Sequence, residues 1–306
     1  MASLLNDTYA PIFVNRAQLC IDECTDLFSQ VYRGVSTRLV ETAFEDTIRL
    51  FRGNYPGFRE CDTPYHDLEH TMAVTLATMR MIAGAAHENE IIGSGFAEAA
   101  LVAALFHDAG LIARTDEEVA SGAALTVGHE ARSARFAANY LAENGREELS
   151  LRSIERIISC TAMGVDPGSI RFSSREERIA GYILGSADFS SQMSDRLYLE
   201  KLPLLFLEMK DAGISMYKDA FDLLQRTGEF YDSFVKVRLE QDFENVVRFA
   251  GSYFARFESQ PRNLYLEYIR KNLDHLSTAV AAGPDEWWTH LRREGVVERA
   301  LDRLTA

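Results

Sequence analysis

From Phe96 to Ala113 the chain is apolar almost without interruption, yet this stretch carries Glu98, His107 and Asp108. Those ionisable groups exclude a membrane span, and the missing polar face excludes a surface helix. The sequence therefore predicts a helix from about Ala97 to Asp108 enclosed on all sides, which requires many partner elements. The rest of the chain supplies them as further helices. Residues 16–52 read as two helices, with Leu39, Phe44, Ile48 and Phe51 on the apolar face of the second. Two prolines and two glycines make 53–64 a connection. Helical patterns follow at about 66–84, 129–143, 151–160, 174–192, 198–210, 214–227, 230–258, 261–276 and 285–304, and 110–128 reads as a loop. No segment alternates in the manner of a strand. The expectation is an all-α single domain over residues 1–306, with a core at about 60–210 and a helical C-terminal extension at about 211–306.

A length of 306 residues is ample for a buried core. The formal net charge of −14 repels phosphate backbones, so duplex nucleic acid is not an expected partner. A small anion remains acceptable where a metal or a few arginines reverse the field locally. The four cysteines, Cys20, Cys24, Cys61 and Cys160, form no CxxC pair. Cys20 and Cys24 lie one helical turn apart, a spacing that suits two small apolar residues better than a metal edge. The N-terminal residues carry Asp7 and Pro11 where a leader would be apolar. A reduced cytoplasmic protein with no membrane association is the expectation.

Three pieces carry chemistry. In Tyr65-His66-Asp67-Leu68-Glu69-His70, a helix would put His66 and His70 on one face, above the small residues Ala73 and Ala77. Two solvated histidines at a helix start would give the same pattern. His107-Asp108 closes the apolar helix, and behind the pair stand Ala100, Leu101, Ala103, Ala104 and Leu105. A carboxylate emerging there is costly unless it is paired or bound to a cation, and a neutral imidazole beside it suits a divalent metal. A hydrogen-bonded His–Asp pair would also satisfy it. Asp188 follows Gly181 and Leu184 on its own helix face, between Ile179, Ile183 and Phe189. It calls for a cation too, whether a metal or an arginine.

The ordered set His70, His107-Asp108, Asp188 resembles the H…HD…D pattern of the HD superfamily of metal-dependent phosphohydrolases. Tyr65-His66-Asp67-x-x-His70 is similar to the YHN-x-x-H opening of cyclic-nucleotide phosphodiesterases and several bacterial HD phosphohydrolases. Ala104–Asp108 resembles the helix end that presents the doublet, and Gly185–Phe189 the helix with the closing aspartate. The similarity spans about residues 60–210. It implies a helical bundle around one or two divalent ions (Mn, Mg, Zn, Co, Ni or Fe), ligated by His70, His107, Asp108 and Asp188. The implied reaction is hydrolysis of a small phosphorylated, nucleotide-like substrate, a cyclic nucleotide ahead of a nucleoside monophosphate. Asp108 would bridge the ions, which lower the pKa of a bound water, and His66 would protonate the leaving alkoxide.

The chain departs from the pattern in two places. Ala109-Gly110-Leu111 follows the doublet in place of the residues found there in the mammalian-type phosphodiesterases, and 159–163 lacks the further histidine of the five- and six-ligand branches. A second metal would then be held more loosely or by His129, in Gly128-His129-Glu130-Ala131-Arg132-Ser133-Ala134, a segment similar to the HE-x-x-S-A element of many HD proteins. His129 is a candidate for that metal or for phosphate at a helix N-terminus, and Arg132 and Arg135 for phosphate contact. His87, His275 and His290 read as surface residues, and the C-terminal aromatics as core. Two rival readings are an HD-type di-iron oxygenase, which uses more histidines than this chain offers, and a non-catalytic HD regulatory module.

Overall fold

The computed structural model describes residues 17–257 and 262–305; Asp7, Pro11 and the end of the 230–258 segment at Glu258 lie outside them. The described chain is all-α. It runs through α1 (Ala17–Val31), α2 (Arg38–Phe51), α3 (Leu68–His87), α4 (Ser94–Phe106), α5 (His129–Glu143), α6 (Leu151–Ile158), α7 (Arg175–Ser194), α8 (Tyr198–Asp211), α9 (Ala220–Phe230), α10 (Arg248–Phe254), α11 (Leu264–Ala281) and α12 (Val296–Thr305). Among the described residues the only extended pairings are the isolated bridges Arg52 with Glu60 and Phe58 with Arg114.

Helices α3, α4 and α7 bury most of their residues: α4 is apolar nearly throughout, while α3 and α7 also bury the charged side chains Arg80 and Glu177. Helix α3 is the hub, packing against α1, α4, α7 and α10. Side chains set the starts of several helices. Asp67 caps α3, Ser150 α6, Ser174 α7, Asp219 α9 and Asn263 α11, each accepting a first-turn N–H. Inside α4, Glu98 is 1% exposed and would be untenable alone. Arg146 answers it through two parallel bonds of 2.7 and 2.9 Å.

Three stretches differ most from their sequence patterns, and in the 285–304 one the α-helix starts only at Val296, after 3-10 turns at Trp287–His290 and Arg293–Gly295. The 230–258 stretch is not continuous: π-helical turns at Tyr231–Val235 and Arg238–Asp242 give way to a break where Glu244 and Asn245 take left-handed backbone angles, and α10 restarts at Arg248. The 214–227 pattern begins late, because Asp219 caps α9 at Ala220. Cys20 and Cys24 are buried core residues, and the Cys20 thiol donates to the Met72 carbonyl.

Helix α10 crosses α3 so closely that a Cβ on Gly84 would lie 1.8 Å from the Phe249 carbonyl oxygen. Gly84→Ala must push the two helices apart. It should cost about 3 kcal/mol in a denaturant unfolding curve, at the upper end of overpacking penalties; an unchanged midpoint would mean the contact is looser than described.

Candidate metal centre

His70, the doublet and Asp188 reach one point from three directions. Asp67 Oδ1 accepts the His70 N–H at 2.9 Å and opens α3 there, so His70 sits in the first turn with its ring turned inward. Helix α4 stops at Phe106, two residues short of the sequence expectation, because Asp108 leaves helical geometry at φ −106°, ψ 4°. That bend brings the side chains of two consecutive residues to the same place. His107 Nδ1 donates back to the Ala104 carbonyl at 2.8 Å, which leaves the Nε2 lone pair facing the site. Asp188 projects from the middle of α7. That helix lies tight against its surroundings at Gly185, where a Cβ would come within 2.6 Å of the Cys160 carbonyl oxygen.

The distances fit a shared coordination shell. Two donors about 2.1 Å from one cation and about 90–110° apart lie about 3.0–3.4 Å from each other. His70 Nε2 is 3.2 Å from His107 Nε2, 3.4 Å from Asp108 Oδ2 and 3.3 Å from Asp188 Oδ1, and His107 Nε2 is 3.1 Å from Asp108 Oδ2. The His107 to Asp188 gap is wider, 3.9 Å, and Asp188 does not belong to the group that the other three form. His70, His107 and Asp108 alone form a buried group whose ligand atoms lie within 4.8 Å of one another. Asp108 Oδ2 is buried and, despite its two close histidines, makes no hydrogen bond of acceptable geometry. An orphaned carboxylate oxygen facing imidazole nitrogens is what a divalent cation would satisfy, so the donor set fits a metal.

His129 arrives from the start of α5. Gly110, just past the doublet, makes room for it: a Cβ there would lie 2.1 Å from the His129 carbonyl oxygen, and the Gly110 N–H donates to Ser133 Oγ at 2.9 Å. His129 Nδ1 is held by the Thr126 carbonyl at 2.8 Å, and Nε2 stands 3.5 Å from Asp108 Oδ1. The two Asp108 oxygens thus face different histidines.

His66 is not on the helix. Asp67 is the cap, so His66 precedes α3, yet its ring centroid is 5.6 Å from that of His70. Its Nδ1 bonds a carboxylate that the sequence reading passed over, Glu208 Oε1 of α8. The other oxygen of Glu208 accepts the backbone N–H groups of Tyr65 at 3.1 Å and His66 at 3.4 Å. A second unforeseen contact supports Asp188. Gln192 Nε2 donates to Asp188 Oδ1 at 3.4 Å, and Gln192 Oε1 accepts the Tyr65 hydroxyl at 2.7 Å. The two arginines considered for phosphate differ. Arg132 is committed to Glu117 at 2.7 and 2.9 Å and to the Gly110 carbonyl at 2.9 Å, so it braces the loop, whereas Arg135 is exposed on α5.

Burial alone would depress the histidines, but the carboxylates override it. Asp108 and Asp188 lift His70 to about 10, and Asp108 with Glu130 lifts His129 to about 9. Burial would raise Asp108, yet His107, His66 and His129 hold it well below the usual carboxylate range. Protons therefore occupy the metal-free centre at neutral pH. A cation must displace the one on His70, so its affinity should rise about tenfold per pH unit until about pH 10. Calorimetry of Mn²⁺ or Zn²⁺ binding in buffers of different ionisation enthalpy measures this release directly. An affinity equal at pH 6 and pH 8 would contradict the assignment of His70 as a ligand.

A family profile described as Npun_R2479-like matches residues 114–249, less than half of the 306-residue chain. It takes in His129, Asp188 and Glu208 and begins after the His107-Asp108 doublet. No curated protein and no solved structure matches the chain. No described helix is long and apolar enough to cross a membrane.

Proposed function

We propose that this chain is an HD-type metal-dependent phosphohydrolase acting on a small nucleotide-like phosphoester. The observation that carries this reading is the convergence of His70, His107, Asp108 and Asp188 around an orphaned Asp108 oxygen, with the second Asp108 oxygen turned to His129. His70 Nε2, His107 Nε2, Asp108 Oδ2 and Asp188 Oδ1 would hold one divalent cation, and Asp108 Oδ1 with His129 Nε2 a second. Such ions supply Lewis acidity toward a phosphoryl oxygen and lower the pKa of a coordinated water.

The chain's own residues provide the rest. His66 is tied through Nδ1 to Glu208, which leaves Nε2 available beside the centre. Burial works against its protonation, but Glu208 and Asp108 raise its pKa above the ordinary value. A histidine whose protonated form is favoured in this way and that stands beside the centre can deliver a proton to a leaving alkoxide. Glu208 fixes the tautomer and the ring orientation, and its grip on two backbone N–H groups keeps His66 in place. Gln192 and Tyr65 orient Asp188.

The test is a panel of cyclic nucleotides, nucleoside monophosphates and model diesters assayed with Mn²⁺, Mg²⁺, Zn²⁺ and Co²⁺. Turnover of at least one ester, abolished by chelator and restored by metal, is expected. Paired iron with oxygen uptake and no ester turnover would instead favour the oxygenase reading.

A further inference from the structure

A cavity lies away from the metal centre, between the C-terminal end of α8, the start of α9, the turn at Trp287–His290 and α12, with a volume of about 700 Å³. That is within the range of small-molecule sites. Its apolar wall is made by Phe206, Phe221, Trp287, Trp288, Leu301 and Leu304, and Lys210 and Lys218 also line it. None of the metal-centre residues contributes to it.

The concentration of residue types is informative. The chain has two tryptophans, and both are here. It has five lysines, at 201, 210, 218, 236 and 271, and two of them are here, in a protein of net charge −14. Lys201 is held by Asp195 and Glu69, and Lys271 lies over the Tyr268 ring. Lys210 and Lys218 are exposed and form no ion pair among the described residues, as is also true of Lys236 outside the cleft. One carboxylate, Asp219, lines the cleft itself; it caps α9 by accepting from Asp222 N, and Asp222 accepts from the Lys218 backbone N–H. Trp287 is 3% exposed.

We propose that this cleft binds an amphipathic carboxylate, a fatty acid or a compact aromatic acid, with its apolar body against the Trp287, Trp288, Phe206 and Phe221 rings and its charge between Lys210 and Lys218. Two separate ammonium groups act as point charges, which suits a single carboxylate head; a guanidinium fork would suit a phosphate better. Long apolar rings beside unpaired cations are otherwise a poor surface for an acidic soluble chain, and an apolar anion satisfies both at once.

Because both tryptophans line the cleft, intrinsic fluorescence reads it without a label. The full chain is titrated with dodecanoate below its micelle-forming concentration, and in parallel with dodecanol and dodecylammonium. Dodecanoate should give a saturable change in tryptophan emission, and the other two a much weaker one. The double substitution Lys210→Glu with Lys218→Glu should weaken dodecanoate binding about tenfold or more. Lys210→Arg with Lys218→Arg, which keeps both charges, should retain it. No emission change with dodecanoate, an equal response to all three amphiphiles, or indifference to the charge reversal would each overturn the proposal. The outcome does not depend on the metal centre, since the same titration can be run in chelator.

Discussion

Asp108→Asn is expected to lower phosphoester hydrolysis by about 10³-fold or more, the rate equivalent of several kcal/mol. The amide keeps the shape of the side chain but removes the one negative charge placed between His70 and His107 on one side and His129 on the other. Metal affinity should fall with it. The metal-free protein should respond in a second, independent way. A histidine lifted to about 10 in the folded state stabilises the fold fully below its ordinary value of 6.5, and that contribution is lost as pH rises through about 10. Asp108 is one of the two carboxylates that lift His70, so the substitution should flatten this pH dependence. Melting curves in chelator between pH 6 and pH 9.5, beside rates in excess Mn²⁺, measure both effects. An active variant, or one with the wild-type pH dependence of stability, would remove Asp108 from the centre of the account.

His66→Ala should reduce turnover by about 10²–10⁴-fold and leave metal content unchanged, because the ligand set is complete without it. Glu208→Gln should have a smaller effect with a distinctive form. The general acid must be protonated, so the alkaline limb of the rate profile follows the His66 pKa. Glu208 raises that pKa, and its loss should move the limb to lower pH while activity at acid pH survives better than in His66→Ala. Loss of metal from His66→Ala would make His66 a ligand. An unmoved limb in Glu208→Gln would reduce Glu208 to a structural bond.

The sequence made the helices and the four converging side chains legible because both follow from short-range rules. Long runs of apolar and small residues mark α3, α4 and α7, and an ionisable group on a buried helix demands a partner. The same rule applied to Glu208 would have flagged it: it stands alone after the apolar run Leu202–Leu207 on α8, and it is 3% exposed. What the rule cannot supply is the partner's identity, since His66 and Glu208 are 142 residues apart in sequence. The position of His66 outside the helix depended on Asp67 serving as the cap in preference to its neighbours, a local competition that periodicity does not decide. The break after Asp242 was hidden for a similar reason. Glu244 and Asn245 fit a helical pattern, and only the packing of Phe243 and Val246 into the core shows that the backbone turns there. Arg132 illustrates the reverse error: near the site in sequence, it is already committed to Glu117 and Gly110.

The claim on which the rest stands is that His70, His107, Asp108 and Asp188 share one divalent cation. Crystals grown with Mn²⁺ or Zn²⁺, with data collected on both sides of the metal absorption edge, test it most directly. The account requires an anomalous peak about 2.0–2.4 Å from His70 Nε2, His107 Nε2, Asp108 Oδ2 and Asp188 Oδ1. A metal-saturated crystal with no peak at that point, or with the ion held by other residues, would contradict it.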